Sequence, residues 1–193
     1  MTIPATENDD RLILGCWRLH QRTPVQIAML LETALESGIR HFDHADIYGG
    51  GDSERQFAQA LQTIGCPRES IVIQSKCGIR DGHYDSSAGH ILESVDGILD
   101  RLGTDYLDTL LLHRPDALME PAEVAEAFSR LQSSGKVRRF GISNFRPMQI
   151  ELLQSALDQP LCVNQLQFGL EDLEQTVGET QAGQDAAAAG QER

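Results

Sequence analysis

The stretch HFDHADIYGG, residues 41–50, sets two histidines, two aspartates and a tyrosine within eight positions and closes on a glycine pair. Such a group can ligate a metal, relay a proton, or form the polar end of a buried strand. In an extended chain His41, Asp43 and Ala45 point one way and Phe42, His44 and Asp46 the other. The two histidines reach one ion only if the strand breaks between them, and neither HxH nor HExxH occurs. A proton relay needs less: one carboxylate facing a cleft and a tyrosine on the next turn. Asp43 and Tyr48 supply both.

Other polar residues follow apolar runs. Lys76 comes after IVIQS, His113 after LDTLLL, and Ser143 and Asn144 close VRRFGISN. Taken singly, each reads equally well as strand-end punctuation. In a parallel α/β fold all strand ends of one sense meet on one face, so together they describe a site. Trp17 follows Gly15 and Cys16 at the end of the first apolar run. It reads equally as a pocket wall or a core aromatic.

The elements that would position these residues alternate. Strands are expected at 11–19, 40–44, 71–75, 106–113, 137–143 and 161–165. Helices are expected at 23–38, 52–65, 89–102, 121–134 and 147–157. Thr23 and Pro24 suit a helix start, and Ile27, Leu30, Leu31, Ala34 and Leu35 lie at helical spacing. Six strands and five helices in strict alternation imply a parallel sheet with right-handed crossovers, either open and doubly wound or a barrel.

The chain has 193 residues, enough for one substantial core. Its net charge of -13 repels phosphate, which argues against nucleic acid and anionic membranes as partners. No apolar run reaches membrane-span length, and MTIPATENDDR does not read as a signal peptide. Cys16, Cys66, Cys77 and Cys162 are scattered and read as reduced thiols, which together with the charge suggests a cytoplasmic protein. Residues 1–168 read as one domain. Residues 169–193 form an acidic tail rich in Ala, Gly and Gln, expected to be disordered for want of apolar surface.

Taken in order, these motifs resemble the aldo-keto reductase family, in its branch of YdhF-like bacterial oxidoreductases. Asp43, Ala45, Tyr48 and Gly49 match its first signature, and Glu54 in GGGDSE also fits. Lys76 in IVIQSKCG and His113 in LDTLLLHRPD match the family lysine and histidine. GKVRRFGISNF and VNQLQF resemble its next two motifs, covering residues 11 to about 168. The resemblance implies a (β/α)8 TIM barrel, of which this chain supplies about six strand–helix units, and reduction of an aldehyde or ketone by NADPH. Tyr48 is then the proton donor. Lys76 lowers the phenol's pKa, Asp43 orients Lys76, and His113 bonds the carbonyl oxygen. Ser143, Asn144 and Gln165 contact the nicotinamide amide, and Trp17 walls the substrate pocket. Cys77 and Cys162 are expected to be small buried residues, His41 and His44 structural, and Asp46 a turn support.

Family barrels carry two further units that grip the cofactor, and the chain is expected to lack them as a C-terminally truncated member. A partial barrel exposes two sheet edges, so self-association along them is expected. The alternative to an active reductase is an inactive fragment serving as an interaction module.

Overall fold

The computed structural model describes residues 12–167. Arg11, Phe168 and the tail from 169 to 193 lie outside the described residues, as does the expected disorder of that tail.

In chain order the elements are β1 (Ile13–Gly15), α1 (Pro24–Glu36), β2 (His41–Asp43), α2 (Asp52–Ile64), β3 (Val72–Cys77), β4 (Ile79–Arg80), β5 (His83–Tyr84), α3 (Ala88–Leu102), β6 (Leu107–Leu112), α4 (Pro121–Ser133), β7 (Val137–Ser143), α5 (Pro147–Gln154) and β8 (Leu161–Gln165). Six strands form one sheet in the order β1-β2-β3-β6-β7-β8, and every neighbouring pair is parallel. The sheet curls into a partial (β/α) barrel. All its strands therefore run the same way, and their C-terminal ends lie at one mouth.

The alternation is broken once. β4 and β5 form a separate antiparallel hairpin between β3 and α3. β1 is shorter than expected, because the chain turns at Cys16 and forms a 3-10 turn at Leu19–Gln21. Lys76 lies inside β3 rather than after it, and α5 ends at Gln154, short of Leu157.

The main core fills the space between sheet and helices. Phe42 of β2 meets Phe57 of α2 with ring centroids 5.1 Å apart, and Phe128 of α4 stacks on Phe140 of β7 at 4.1 Å. Ile27, Leu31, Ile91, Val95 and Ile98 complete it, all fully buried. The helices are anchored locally. At α1 the Thr23 hydroxyl accepts from the Gln26 N–H while the Gln26 side chain accepts from the Thr23 N–H, a reciprocal cap.

An ionic cluster lies around Asp108 of β6. Its carboxylate accepts from Arg68 at 2.7 Å, from the Ile73 backbone N–H at 2.9 Å and from Arg138 at 3.0 Å. Both guanidinium groups also lie over the Tyr106 ring, at 4.0 and 3.8 Å from its centroid. None of these residues belongs to the site described next.

Candidate active site

Asp43 is the last residue of β2 and nearly buried. Its register partner in β3 is Gln74. Period two then puts Gln74 and Lys76 on the same face, pointing at Asp43. Lys76 Nζ donates to both Asp43 oxygens at 2.7 Å, to the His44 backbone carbonyl at 2.9 Å, and approaches the Tyr48 hydroxyl at 3.2 Å. Gln74 Nε2 donates to Asp43 Oδ1 at 2.7 Å. The carboxylate is thus oriented by two donors, and the ammonium by a carboxylate, a carbonyl and a phenol.

Tyr48 reaches this group from the turn after β2. Its backbone N–H bonds the Ala45 carbonyl at 3.0 Å, and Gly49, Gly50 and Gly51 follow with φ of 61, 63 and 90°. Positive φ is cheap for glycine and strained for other residues, so the triple glycine is what lets the chain turn this tightly into α2.

His113 follows β6 directly, and its N–H continues the ladder to the Cys77 carbonyl at 2.8 Å. Its ring stands edge-on to Tyr48 with centroids 6.0 Å apart. The Trp17 ring lies 6.4 Å from that of Tyr48, with Arg18 4.7 Å over it. Trp17 is 58% exposed, which disposes of the core-aromatic reading.

Electrostatics follow from burial. His113 is pushed down to about 4 by burial and by the nearby Lys76 and Arg114 charges, so it is neutral at pH 7. Lys76 is lowered by burial, against the pull of Asp43. The Tyr48 phenol is raised above its ordinary value, by burial first and by Asp43 second. Burial, the largest influence on the phenol, outweighs any lowering by nearby cations. Asp43 sits against the ammonium and offsets part of its charge.

His44 points away from the mouth, between the sheet and α2. It is fully buried with its ring edge-on to Phe57 at 4.4 Å, and neither ring nitrogen has a partner among the described residues. Burial drives its pKa down to about 3. Asp46 is only partly the turn support expected of it. Its Oδ1 is buried with no partner among the described residues; burial together with Glu54 raises it to about 7, against the opposing pull of Arg101, the Ile47 N–H and Ser94. Cys77 is fully buried and Cys162 partly so; burial raises both thiols. Among the described residues no three His, Cys, Asp or Glu side chains are placed to hold one metal ion, and no helix is long and apolar enough to cross a membrane.

Ser143, Asn144 and Gln165 lie at the ends of the neighbouring strands β7 and β8. Ser143 Oγ donates to the Gln165 carbonyl at 2.9 Å and accepts from Asn144 Nδ2 at 2.9 Å. Asn144 has φ of 59°, the one non-glycine residue in the left-handed region among those described. Gln165 Oε1 is buried with no partner among the described residues.

Sequence reasoning missed Gln74, though its spacing of two from Lys76 was a usable signal. It also missed Arg101, which pairs with Glu54 across 47 positions. No local pattern announces such a contact.

The model of the aldo/keto reductase family matches residues 11–178. The chain belongs to the aldo/keto reductase family. It is 45% identical over 168 residues to the oxidoreductase YdhF of Escherichia coli, covering 82% of this chain and 56% of that protein. A 6-dehydroglucose reductase of Agrobacterium fabrum is 40% identical over 173 residues, covering 83% of this chain and 58% of that enzyme. A thermostable aldo-keto reductase, Tm1743, solved with the inhibitor epalrestat, superimposes with a TM-score of 0.72 at 29% identity, covering 81% of this chain and 57% of that one. The chain therefore spans a little over half the length of these aldo/keto reductases.

Proposed function

We propose that this protein reduces an aldehyde or ketone to an alcohol with NADPH as hydride donor. The observation that carries the reading is the contact of Lys76 Nζ with both Asp43 and the Tyr48 hydroxyl, at 2.7 and 3.2 Å. Tyr48 places a protonated hydroxyl at the mouth, and burial keeps it protonated at pH 7. When bound, the nicotinamide supplies the hydride, and the substrate oxygen then needs a proton. An alkoxide is a stronger base than a phenolate, so transfer from Tyr48 runs downhill even with the phenol pKa raised. Lys76 stabilises the phenolate that remains. Asp43 and Gln74 hold Lys76 in place. Neutral His113 donates one ring N–H toward the carbonyl oxygen and fixes its orientation. Trp17 walls the substrate pocket.

The residues at β7 and β8 fit a nicotinamide carboxamide. The unpartnered Gln165 Oε1 is an acceptor waiting for an amide N–H. Ser143 and the strained Asn144 stand beside it with one acceptor and one donor, the complement of a primary amide. Carbonyl derivatives of sugars are the first substrates to test, because a relative at 40% identity is a 6-dehydroglucose reductase.

Trp17 is the sole tryptophan, so titrating the protein with NADPH while following its emission measures cofactor binding at the mouth. Micromolar affinity, with NADPH oxidation that depends on added carbonyl compound, supports the reading.

A second reading rests on a different observation. Among the described residues β1 and β8 each pair on one side only, and Leu12, Ile13 and Leu166 beside them are exposed. A protein that binds a partner, or its own copy, along these edges shows no nucleotide affinity and an oligomer that grows with concentration.

A further inference from the structure

Tyr48 stands on a turn that does not hold itself. The three residues after it are glycines with positive φ, and glycine has more backbone freedom to lose than any other residue. The geometry of the turn must be imposed by neighbours.

Arg101, near the end of α3, is one of them. Its Nε donates to Glu54 Oε2 at 2.6 Å. A Cβ on Gly51 would meet Arg101 Cδ at 2.5 Å, and a Cβ on Gly97 would meet one of its terminal nitrogens at 2.9 Å. The arginine arm therefore lies flat against both glycines. Glu54, three residues beyond Gly51, is wholly buried, and its other oxygen accepts from the Ser75 hydroxyl at 3.0 Å. Ser75 is the residue before Lys76. One carboxylate thus ties the start of α2, just after the Tyr48 turn, to the strand that carries the lysine. On the far side, the His20 ring lies where a Gly49 side chain would be, and its Nδ1 is 3.2 Å from the Ser53 hydroxyl.

We infer that Arg101 is a positioning residue for the proton donor: through Glu54 and Ser75 it locks the Tyr48 turn to β3 and so sets the distance between Tyr48 and Lys76. Burial pushes the Glu54 carboxyl up and Arg101 opposes that shift. Arg101 is the counter-ion of this buried carboxyl, 2.6 Å from it, and offsets part of the cost of its burial. This role rests on the proposed carbonyl reduction only for its kinetic consequence.

The test uses two mild variants. Arg101→Lys keeps the charge but loses the flat arm. Gly97→Ala raises helix propensity and displaces only the flexible end of Arg101. Fluorotyrosine labelling gives resonances for Tyr48, Tyr84 and Tyr106, that of Tyr48 being identified by its loss in Tyr48→Phe. In both variants the Tyr48 resonance shifts while that of Tyr106, held between Arg68 and Arg138, stays in place. The kcat for carbonyl reduction falls roughly tenfold while KM changes by less than about twofold. An unmoved Tyr48 resonance overturns the assignment. So does a Tyr106 shift as large as that of Tyr48, which marks general loosening. If the unsubstituted protein reduces no carbonyl compound, the proposed reaction fails, and the fluorine spectra still decide the role of Arg101.

Discussion

Lys76 holds its ammonium 2.7 Å from each oxygen of Asp43, in a pair with side chains only 3 and 9% exposed. A buried pair of this kind is not in itself a strong stabiliser, because both ions have lost their water. Breaking it is another matter. Lys76→Met leaves a buried carboxylate without its counter-ion and is expected to lower unfolding free energy by about 3–5 kcal/mol in urea denaturation. The double substitution Asp43→Asn with Lys76→Met recovers much of that stability and none of the activity.

Stability depends on pH through groups shifted in opposite senses. His44 and His113 are lowered from 6.5 to about 3 and about 4. Their stabilising contribution is present above about 6.5 and is lost as pH falls toward the folded values, because the unfolded chain takes up the protons. Asp46 is raised from 3.8 to about 7. Its contribution is present below 3.8 and is lost as pH rises through 7. Between about pH 5 and 6 the unfolded state gains two protons on the histidines and releases one from Asp46. These three groups leave a net slope near one proton, about 1.4 kcal/mol per pH unit. His44→Leu flattens the urea midpoint against pH in this window, and Asp46→Asn steepens it. The reverse order would show that the burial argument has the wrong sign.

The Asp108 cluster stabilises without touching the mouth. Asp108→Ala leaves the buried Ile73 N–H without its acceptor, while Arg68 keeps its bonds to Thr104, Ile71 and Tyr106 and Arg138 is exposed to water, and should lower unfolding free energy by about 1–3 kcal/mol. Activity per folded molecule should not change, which a denaturation curve and an active-fraction assay measure together.

Gly141 of β7 has no room for a side chain. A Cβ there would lie 2.7 Å from the Leu111 and Val163 side chains and from the Val163 backbone carbonyl. Backbone cannot step aside as a flexible side chain can. Gly141→Ala is therefore expected to cost about 1–3 kcal/mol in thermal or urea unfolding.

Much of this fold is legible locally. β7 and β8 run over the residues their apolar runs indicate, and α1 starts where Thr23 and Pro24 mark it. Boundaries fail where tertiary contacts rule. β1 stops early because the chain turns after Cys16, where the Leu19 N–H bonds the Cys16 carbonyl at 3.2 Å, and the β4–β5 hairpin is two residues per strand, too short for a periodicity to show. Within the site, Asp43, Tyr48, Lys76 and His113 declare themselves by type and place at strand ends, and the fold brings them together. The sign of the Tyr48 shift does not follow from type, because it is set first by how deeply the fold buries the phenol. Arg101 is hidden for the same reason: its meaning lies in the two glycines and the buried carboxylate it touches.

In the proposed reaction Tyr48, poised on Lys76, delivers the proton to the carbonyl oxygen. Its most direct test is NADPH oxidation at 340 nm by the protein and by Tyr48→Phe, against a panel of aldehydes and sugar-derived carbonyl compounds, with NADPH affinity measured in both. Carbonyl-dependent oxidation is expected to fall at least about 100-fold in Tyr48→Phe, with NADPH affinity unchanged. Equal rates in the two proteins, or no oxidation by the unsubstituted protein at saturating NADPH, would contradict it.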